Sequence, residues 1–481
     1  DADKSIAEFA GDAQQKIKDW RNGGFFEKLE PHEIKLLQKL SHIAEDLFDF
    51  VASDLAKGRK GSNDAITLWP GKEMPGPMGQ DFREKNRRNK ELVGDDRASN
   101  TLPFKRLKTA MDAWCSLWLW PLDKTNLLPS RAEFLQGMAM ILEGGFTPDG
   151  SLAAPSMAEF SNPAPDFLKT LEPSTPAKDL SKATKKRQEI LFRETDVDSL
   201  VKEVNWLGVA VDTAKRERFT HFDLIFADIL KERGGFDFIV GNPPWAKPTW
   251  NEADVIGDID PSFVIRKHSA SDARKSRALS LEKESDKNRF LKLYVSSKGA
   301  INVTGSEVFN PFAGGGANNL YRCFIDLTFR TLSPDGIASL IHQDGHLNDP
   351  KAGFFRQHCY SRLIKHFDFL NRIKSKNFSE VGHDVVFSLN VYRGHSAPIL
   401  FQNLSLCFLP SQIDDSFRHD GTGQIPTLKT ADGAWDTRGH AARLVEISTK
   451  TLMVIGNMTE EGDVPIGHQR FLQPYSQSLM G

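Results

Sequence analysis

Residues 236–245 read Phe-Asp-Phe-Ile-Val-Gly-Asn-Pro-Pro-Trp, and no other segment constrains this chain as strongly. The first five residues are apolar except for Asp237, and such a short apolar run is typical of a buried strand in a parallel sheet. Gly241 ends the run, and the two prolines that follow fix the backbone and remove two amide donors. Ligands bind at the carboxyl ends of the strands in an open α/β sheet. The pattern therefore predicts a buried strand that carries a rigid loop to a ligand-binding edge.

The loop 242–245 carries groups that suit a planar base with an exocyclic amine. The Asn242 amide can both accept and donate hydrogen bonds, and the Pro243 carbonyl would be a second acceptor for the amine. Trp245 adds a flat aromatic face on which a base can stack. A Pro-Pro loop whose tryptophan belongs to the core would explain the same residues without a function. The aromatic residue directly after strand and prolines favours the pocket.

This loop resembles motif IV of the amino-methyltransferases, which methylate the exocyclic nitrogen of adenine or cytosine from S-adenosylmethionine. Residues 221–245 resemble the large adenine methyltransferases of fused (type IIG) restriction–modification enzymes and of BREX- or DISARM-type phage-defence systems. In those proteins a polar-aromatic lead-in precedes a Gly-Gly-Phe-Asp strand and Asn-Pro-Pro-aromatic, as it does here. Residues 112–115, 319–336 and 435–440 also look similar, though less specifically. The resemblance spans roughly residues 100–440.

The resemblance implies a Rossmann-like class I methyltransferase sheet in an α/β fold, with its second half recognisable in this chain. A helical N-terminal region would precede the sheet, and a C-terminal recognition-type domain would follow it. The implied activity is that of a site-specific DNA methyltransferase. It would transfer a methyl group from S-adenosylmethionine to the N6 amine of an adenine flipped out of double-stranded DNA. The implied setting is a restriction or antiviral defence system in the cytoplasm, with other defence-system subunits as candidate partners.

The resemblance also assigns roles to the residues of the motif. The implied catalytic residues are Asn242, Pro243, Pro244 and Trp245. The implied cofactor-binding residues are Asp237, Gly241 and Asn242.

One departure from the family concerns the glycine-rich turn that lets the cofactor approach the backbone. Residues 1–235 contain no such turn. Phe-Ala-Gly-Gly-Gly at 312–316 fits Phe-x-Gly-x-Gly, which makes Gly314 and Gly316 alternative cofactor contacts. However, the stretch between Trp245 and this segment is too short for the remaining strands and a recognition domain. We therefore expect a loop near the pocket at 314–316, with the cofactor turn before the first residue or lost.

The pattern of apolar residues divides the chain into four parts. Residues 1–145 read as helical with a polar insertion, and apolar positions such as Ile34, Leu37 and Leu40 recur at helical spacing. A linker or insertion is expected at 146–200, the methyltransferase half at 201–393, and the start of a target-recognition or accessory domain at 394–481. Within the methyltransferase half, residues 337–341, 364–370 and 385–392 read as strands, and the last two could pair antiparallel.

The net charge of -2 means that any DNA contact must come from local basic patches. The candidate DNA-contacting residues are Lys247, Arg266, Lys267, Arg274 and Lys275. A solvated helix face would explain the basic residues at 266–275 equally well. The basic stretch at 80–91 is more simply a solvated helix face or a loop than a phosphate-binding patch.

The composition excludes several other classes of protein. No apolar run approaches ~20 residues, so no membrane-spanning helix is expected, and no signal peptide is recognisable. The four cysteines are far apart and fit buried thiols in a reducing compartment. The histidines show no ligand spacing, so no metal is expected, and we interpret these five as structural or surface residues: His221, His342, His346, His383 and His440.

Two rival functions remain on the sequence alone. Asn-Pro-Pro-aromatic also occurs in amino-methyltransferases that act on the glutamine of release factors or on guanine in ribosomal RNA. Those enzymes are usually compact single domains, so the long insertions and C-terminal extension favour DNA. The other rival is a catalytically silent, methyltransferase-like scaffold that binds DNA or partner subunits, which the missing glycine turn favours.

Overall fold

The computed structural model divides into two compact units, each formed by two stretches of the chain. The first unit comprises Asp1–Glu232 and Trp250–Gly299, and the second comprises Arg233–Thr249 and Ala300–Gly481. The structure describes residues 6–62, 66–68, 72–74, 82–83, 85–87, 103–146, 195–266, 270–314, 319–372, 377–379 and 381–479. Lys267, Gly316, most of the stretch 80–91 and nearly all of the expected linker 146–200 lie outside these residues.

The described part of the first unit is largely helical. Its helices are α1 (Ala7–Trp20), α2 (Pro31–Ser62), α3 (Pro103–Ser116), α4 (Arg131–Glu143), α5 (Val197–Glu203), α6 (Asn205–Glu217), α7 (Phe222–Ile225), α8 (Ala227–Arg233), α9 (Glu252–Ile259), α10 (Ser262–Ile265), α11 (Ala270–Ser280) and α12 (Glu284–Gly305). The last residues of α8 and α12 belong to the second unit. Two short strands, β1 (Ile66–Leu68) and β2 (Lys72–Met74), pair antiparallel.

The core of the first unit forms around α2, α3, α4 and α6. Helix α2 was predicted, but its buried stripe begins at Leu36 rather than at Ile34 and Leu37, which are 42% and 38% exposed. The stripe continues through Leu40 and Ile43, so its members are three or four residues apart, as one face of a helix requires. A second apolar cluster contains Ile256 of α9 and residues of α1 and α12. Among the described residues, no helix has the length and apolar run needed to cross a membrane.

The second unit contains a six-stranded mixed sheet with helices. The strands are β3 (Phe236–Gly241), β4 (Leu332–His342), β5 (Leu363–Leu370), β6 (Val386–Arg393), β7 (Leu400–Cys407) and β8 (Val445–Ser448). The helices are α13 (Leu320–Thr331), α14 (Gly345–Asn348), α15 (Gly353–Tyr360), α16 (Ser411–Arg418) and α17 (Thr449–Thr459).

The strand order is β3-β4-β6-β5-β7-β8, and the pairings give each strand a direction. Strand β3 is parallel to β4, β6 is antiparallel to both β4 and β5, and β5 is parallel to β7. Strands β3, β4, β5 and β7 therefore run one way, while β6 and β8 run the other way. The expected α/β class and the antiparallel pairing of β5 with β6 are confirmed, whereas the Rossmann-like order of the strands stays a prediction.

Strand β3 is present and parallel as expected, but the prediction that it is buried is wrong. It lies at the edge of the sheet, and Phe238 and Val240 on one of its faces are 64% and 69% exposed. Within the described residues β3 pairs only with β4, so its outer edge has no strand to cover it. Asp237 is also exposed and forms an ion pair with Arg233.

The sheet does not end at the expected domain boundary near residue 394. Strands β7 and β8 extend it, and Phe401, Val445 and Ile447 join the core that α13 and α15 cover. The stretch after residue 394 looked like a new domain because it is rich in glycine, proline and short apolar runs. In the structure those short runs are strands of the same sheet.

Two glycines make the start of the β3–β4 pair possible. Gly235 precedes β3 with φ +136°, and a Cβ there would lie 2.4 Å from the Thr331 carbonyl oxygen. Gly336 lies inside β4 where the register shifts, and a Cβ there would lie 2.6 Å from the Phe236 carbonyl oxygen. Only glycine tolerates such backbone contacts. This accounts for the Gly-Gly-Phe-Asp and Pro-Asp-Gly sequences at these positions.

Replacing Gly235 with alanine should therefore destabilise the second unit strongly. Gly462→Ala is a matched control, because Gly462 also has positive φ (+79°) but nothing lies within 4 Å of its added Cβ. The control should lose about 1–2 kcal/mol from the left-handed backbone alone. Urea unfolding should show a clearly larger loss for Gly235→Ala. Equal losses in the two variants would contradict the close contact.

Candidate active site at the carboxyl edge of the sheet

Three parallel strands end at the same edge of the sheet and bring three segments together. The loop 242–245 follows β3, Gln343 and Asp344 follow β4, and Asn371 and Arg372 follow β5. The N-terminus of α13 lies at the same edge, since the Leu320 amide donates to the Ala246 carbonyl at 2.9 Å. This edge is where the sequence placed the candidate site.

The loop 242–245 alternates between buried and exposed positions. Asn242 and Pro244 are exposed, Pro243 is buried and Trp245 is half-buried. The Asn242 amide forms no hydrogen bond within the described part of the chain, so it is free to meet a ligand. The loop is thus anchored by Pro243 and Trp245, whereas Asn242 and Pro244 are exposed to solvent.

Asn319 connects the loop's anchor helix to the end of β4. Its side-chain oxygen accepts from the Tyr321 amide at 3.4 Å, which caps α13, and its Nδ2 donates to Gln343 Oε1 at 3.3 Å. Because Leu320 also holds Ala246, the loop after β3 and the end of β4 are tied to one helix N-terminus. The sequence analysis gave no role to Asn319.

The Trp245 ring is held by contacts with other aromatic rings. Its Nε1 donates to the Ile341 carbonyl at 3.3 Å, and its ring stacks on Phe387 at 5.6 Å with an interplanar angle of 26°. Phe378 meets it edge-on at 5.3 Å. The ring therefore has a fixed orientation, as both the pocket and the core interpretation require. Stacking of a target base on Trp245 stays a prediction.

Asn371 positions the segment that brings Phe378 to Trp245. It is 1% exposed, and its Nδ2 donates to the carbonyls of Phe378 and Val381 at 2.8 and 3.0 Å. Its side-chain oxygen accepts from the Phe378 amide at 3.3 Å. Sequence reasoning missed Asn371 and Phe378. A single asparagine directly after a strand, which is able to close a turn, was the available signal.

A buried polar cluster lies behind the end of β4. Asp344 is 6% exposed and accepts from His366 Nε2 at 3.1 Å, from Gln473 Nε2 at 3.4 Å and from the Ser388 hydroxyl. The other ring nitrogen of His366 donates to Asn403 Oδ1 at 2.7 Å. Two donating ring nitrogens are the pattern of a protonated imidazole. The cluster therefore holds an ion pair inside the fold.

The charges in this cluster are set by burial and by each other. Burial alone would lower the pKa of His366, but the Asp344 carboxylate outweighs it and raises that pKa to about 9. Burial opposes ionisation of Asp344, yet His366 and Ser388 keep the pKa of its carboxyl below the usual value. Burial lowers the pKa of His342 to about 4. At neutral pH, His366 is charged and His342 is neutral.

The five histidines interpreted as structural or surface residues fall into both classes. His342, His346 and His440 are at most 2% exposed, so they are structural. His221 pairs with Asp112 at 2.7 Å, and His383 lies at the surface. No group of three or more potential metal ligands occurs in the part of the chain that the structure describes.

The residues expected to contact the cofactor do not form a glycine cradle. A Cβ on Gly241 would make only ordinary contact with Leu340 at 3.5 Å, so close approach does not require a glycine there. A Cβ on Gly314 would lie 2.6 Å from Glu307 Cα, so the missing side chain of Gly314 serves packing within its own loop. Gly316 lies outside the described residues. The described residues therefore do not fit the phosphate- or cofactor-cradling turn of a methyltransferase.

Four of the five predicted DNA-contacting residues are described and exposed, but one of them is already paired. Arg274 forms an ion pair with Glu8 at 3.4 Å, while Arg266 and Lys275 are exposed in the same unit. Lys247 is exposed in the second unit. A shared DNA-binding role for these residues stays a prediction.

Comparisons with known proteins give partial structural likeness only. The sequence matches no protein-family model and no curated protein sequence. Among solved structures, a type I restriction–modification methyltransferase subunit from Streptococcus thermophilus is 11% identical, with 88% of this chain and 91% of that chain covered and a TM-score of 0.20. A structure of a type I restriction–modification system is 9% identical, with 98% and 91% covered and a TM-score of 0.24.

A third match is the complex of DrdV with DNA, at 10% identity and a TM-score of 0.21. It covers 79% of this chain but only 44% of that chain, so this chain spans less than half of DrdV. The structures that resemble this chain thus include restriction–modification proteins. TM-scores this low correspond to partial likeness, and neither the fold nor the activity of this chain follows from them.

The Asp344–His366 pair predicts a loss of stability at alkaline pH. The folded-state pKa of His366, about 9, lies above the ordinary value of 6.5. Its contribution is therefore complete below pH 6.5 and disappears as the pH rises through 9. Urea unfolding should show a fall of at most roughly 3 kcal/mol between these values. The His366→Asn variant should have a lower free energy of unfolding at neutral pH, and that free energy should fall less than in the wild type as the pH rises. His383→Asn, a surface control, should keep the wild-type profile; the same profile in His366→Asn would disprove the role of the pair.

Proposed function

We propose that this protein is a DNA methyltransferase that modifies the exocyclic N6 amine of an adenine flipped out of double-stranded DNA. The observation that carries the proposal is the loop 242–245 at the carboxyl end of β3, tied to α13 and to the end of β4. Adenine inside a duplex is unreachable, so the base must leave the stack at a cost of a few kcal/mol. A fixed, partly exposed loop at a sheet edge is suited to receive it.

The loop supplies the contacts that an adenine amine needs. Asn242 is exposed and has no hydrogen-bond partner among the described residues, so its side-chain oxygen can accept a hydrogen bond from the amine. The carbonyl of Pro243 would accept the second one. Two acceptors that hold both amine hydrogens direct the nitrogen lone pair out of the base plane. Stacking on an aromatic ring such as Trp245 contributes about 1–3 kcal/mol per base.

S-adenosylmethionine would supply the methyl group when bound. In this proposal the loop 242–245 holds the target base, and the described residues do not form the glycine turn that would hold the methyl donor. Asp237 and Gly241 remain proposed contacts for it. What these residues contribute is positioning, which is a large part of the acceleration of a transfer between two bound groups. No strong base is needed, because the proton can leave the amine after the methyl group arrives.

The buried ion pair next to the site supports the loop rather than the chemistry. Asp344 and His366 are almost fully buried and satisfy each other, so neither is presented to a base at the edge. They hold the end of β4. Gln343 follows this end and accepts a hydrogen bond from Asn319. We therefore place them as positioning residues.

The proposed setting is a restriction–modification or phage-defence system. The resemblance of residues 221–245 to the methylases of such systems supports it. Double-stranded DNA is the proposed substrate, and further subunits of the system are proposed partners. Adenine, S-adenosylmethionine and base flipping all belong to this proposal.

A second candidate is a catalytically silent scaffold that keeps the fold and binds DNA or partner subunits. The observation that favours it is that Gly314 packs on Glu307 and no described glycine turn is open to a cofactor. Binding of labelled S-adenosylmethionine separates the two proposals. The enzyme must bind it in the complete protein, and the scaffold should not.

Asn242→Ala should reduce methyl transfer to unmethylated duplex DNA by about a hundredfold or more, because a transition-state hydrogen bond of this kind is worth several kcal/mol. Its thermal stability should be unchanged, since the side chain is exposed. The measurement is transfer of labelled methyl from S-adenosylmethionine by the complete protein. Asn457→Ala is the control, because Asn457 is exposed on α17 of the same unit. Transfer retained by Asn242→Ala at the control's level would remove the pocket assignment.

Substitutions of Trp245 should separate stacking from packing. Trp245→Phe keeps an aromatic face, whereas Trp245→Leu keeps only apolar bulk beside Phe387. We expect Trp245→Leu to lose more affinity for DNA with the target base unpaired, by about tenfold, in line with a stacking contribution of 1–3 kcal/mol. Similar unfolding curves for both variants would show that packing is matched. Equal DNA affinities would assign Trp245 to the core alone.

A further inference from the structure

The first unit contains a groove that neither the loop 242–245 nor the predicted basic patch explains. Helices α3, α5 and α6 and the turn Leu122–Leu127 line a cavity of about 870 Å³. Pockets of 300–1,000 Å³ are the usual size for binding sites of small ligands or nucleotides. Lysines are concentrated here: Lys105, Lys108, Lys124, Lys202 and Lys215 all face the groove.

Two of these lysines are neutralised by neighbours inside the groove. Lys105 pairs with Asp198 at 2.6 Å, and Lys108 pairs with Asp112 at 2.9 Å. Asp112 is 3% exposed and also meets His221 Nε2 at 2.7 Å. The charges of Lys105 and Lys108 are therefore balanced by carboxylates within the groove.

The other three lysines give the groove an excess of positive charge. Lys124, Lys202 and Lys215 are exposed, and none of them has a carboxylate partner within the described part of the chain. Asp212 is the remaining acid of the lining, so the rim carries a net charge of about +2 on a chain whose total is -2. Such a local potential attracts a polyanion against the average charge of the protein.

The spacing along α6 places these groups on one face. Asn205, Gly208, Asp212 and Lys215 follow at intervals of three or four residues. Gly208 adds no side chain, so the groove stays open along the helix. Its floor is apolar at Val201 and Val209. The apolar floor can contact the bases or sugars of a nucleic-acid strand, and the basic rim can contact its phosphates.

We propose that this groove binds the phosphodiester backbone of a DNA strand independently of sequence, with Lys124, Lys202 and Lys215 on the phosphates. The choice of DNA as the polyanion rests on the proposed function, whereas the charge and shape of the groove do not. The ammonium groups act as point charges, so they fix the strand without reading it. This gives the protein a DNA contact apart from the loop 242–245.

The test is binding of a labelled single-stranded oligonucleotide to the full chain, measured by fluorescence anisotropy over a range of salt concentrations. The combined variant Lys124→Gln, Lys202→Gln and Lys215→Gln should weaken binding about tenfold or more and lower the slope of log affinity against log salt by about 2. Lys16→Gln, Lys18→Gln and Lys35→Gln together remove the same charge from exposed positions of the same unit outside the groove. This control should change affinity less than about threefold.

Asp212→Asn provides an opposite change in the same groove. Removing the free carboxylate should tighten binding by a few fold, with no change in the fold because Asp212 is exposed. An affinity of the lysine variant equal to that of its control, or an unchanged salt slope, would overturn the proposal. So would tighter binding of an acidic peptide than of the oligonucleotide.

Failure of this inference and failure of the proposed function are distinguishable. Asn457→Ala, an exposed position with no role in either proposal, should bind the oligonucleotide with the wild-type salt slope. If no methyl transfer is found but the groove variants weaken binding, the groove stands and the proposed activity falls. If transfer is found but the groove variants bind like their control, the groove falls and the activity stands.

Discussion

The parallel pairing of β3 with β4 is the constraint on which the candidate site depends. The register runs from Phe238 opposite Ile337 to Gly241 opposite Leu340. Because side chains alternate between faces, a slip by one residue would move Ile239 out of the core and place Phe238 in it. The same register fixes where the loop 242–245 leaves the sheet, beside the end of β4.

The register in turn depends on backbone contacts that only glycine permits. Gly235 and Gly336 let the chain approach itself closely where both strands begin. At the other end, Leu320 and Asn319 hold the loop and β4 to one helix N-terminus. The loop is thus determined at both ends by backbone geometry, which makes its position insensitive to most surface substitutions. A rigid loop is what positioning a base requires.

The local part of this arrangement could be predicted from the sequence, and the long-range part could not. A short apolar run followed by glycine and prolines specifies a strand and a stiff loop by itself. Nothing within residues 236–245 reveals that Phe387 and Phe378 pack on Trp245, because those contacts join segments far apart in the chain. The edge position of β3 was missed for the same reason. Phe238 and Val240 read as core residues, but the face of β3 on which they lie is exposed in the described part of the chain. The strands β7 and β8 were missed because short apolar runs between glycines and prolines also describe loops.

The exposed face of β3 and the packing of Gly314 on Glu307 both concern how the loop 242–245 and the proposed cofactor contacts differ. Among the described strands β3 pairs with β4 alone, and Phe238 and Val240 stay in contact with water. The loop 242–245, which we propose to receive a base, is held by internal contacts, whereas the described residues form no glycine cradle for a methyl donor. The position of the loop 242–245 therefore follows from contacts within its own unit, and it does not depend on a bound ligand.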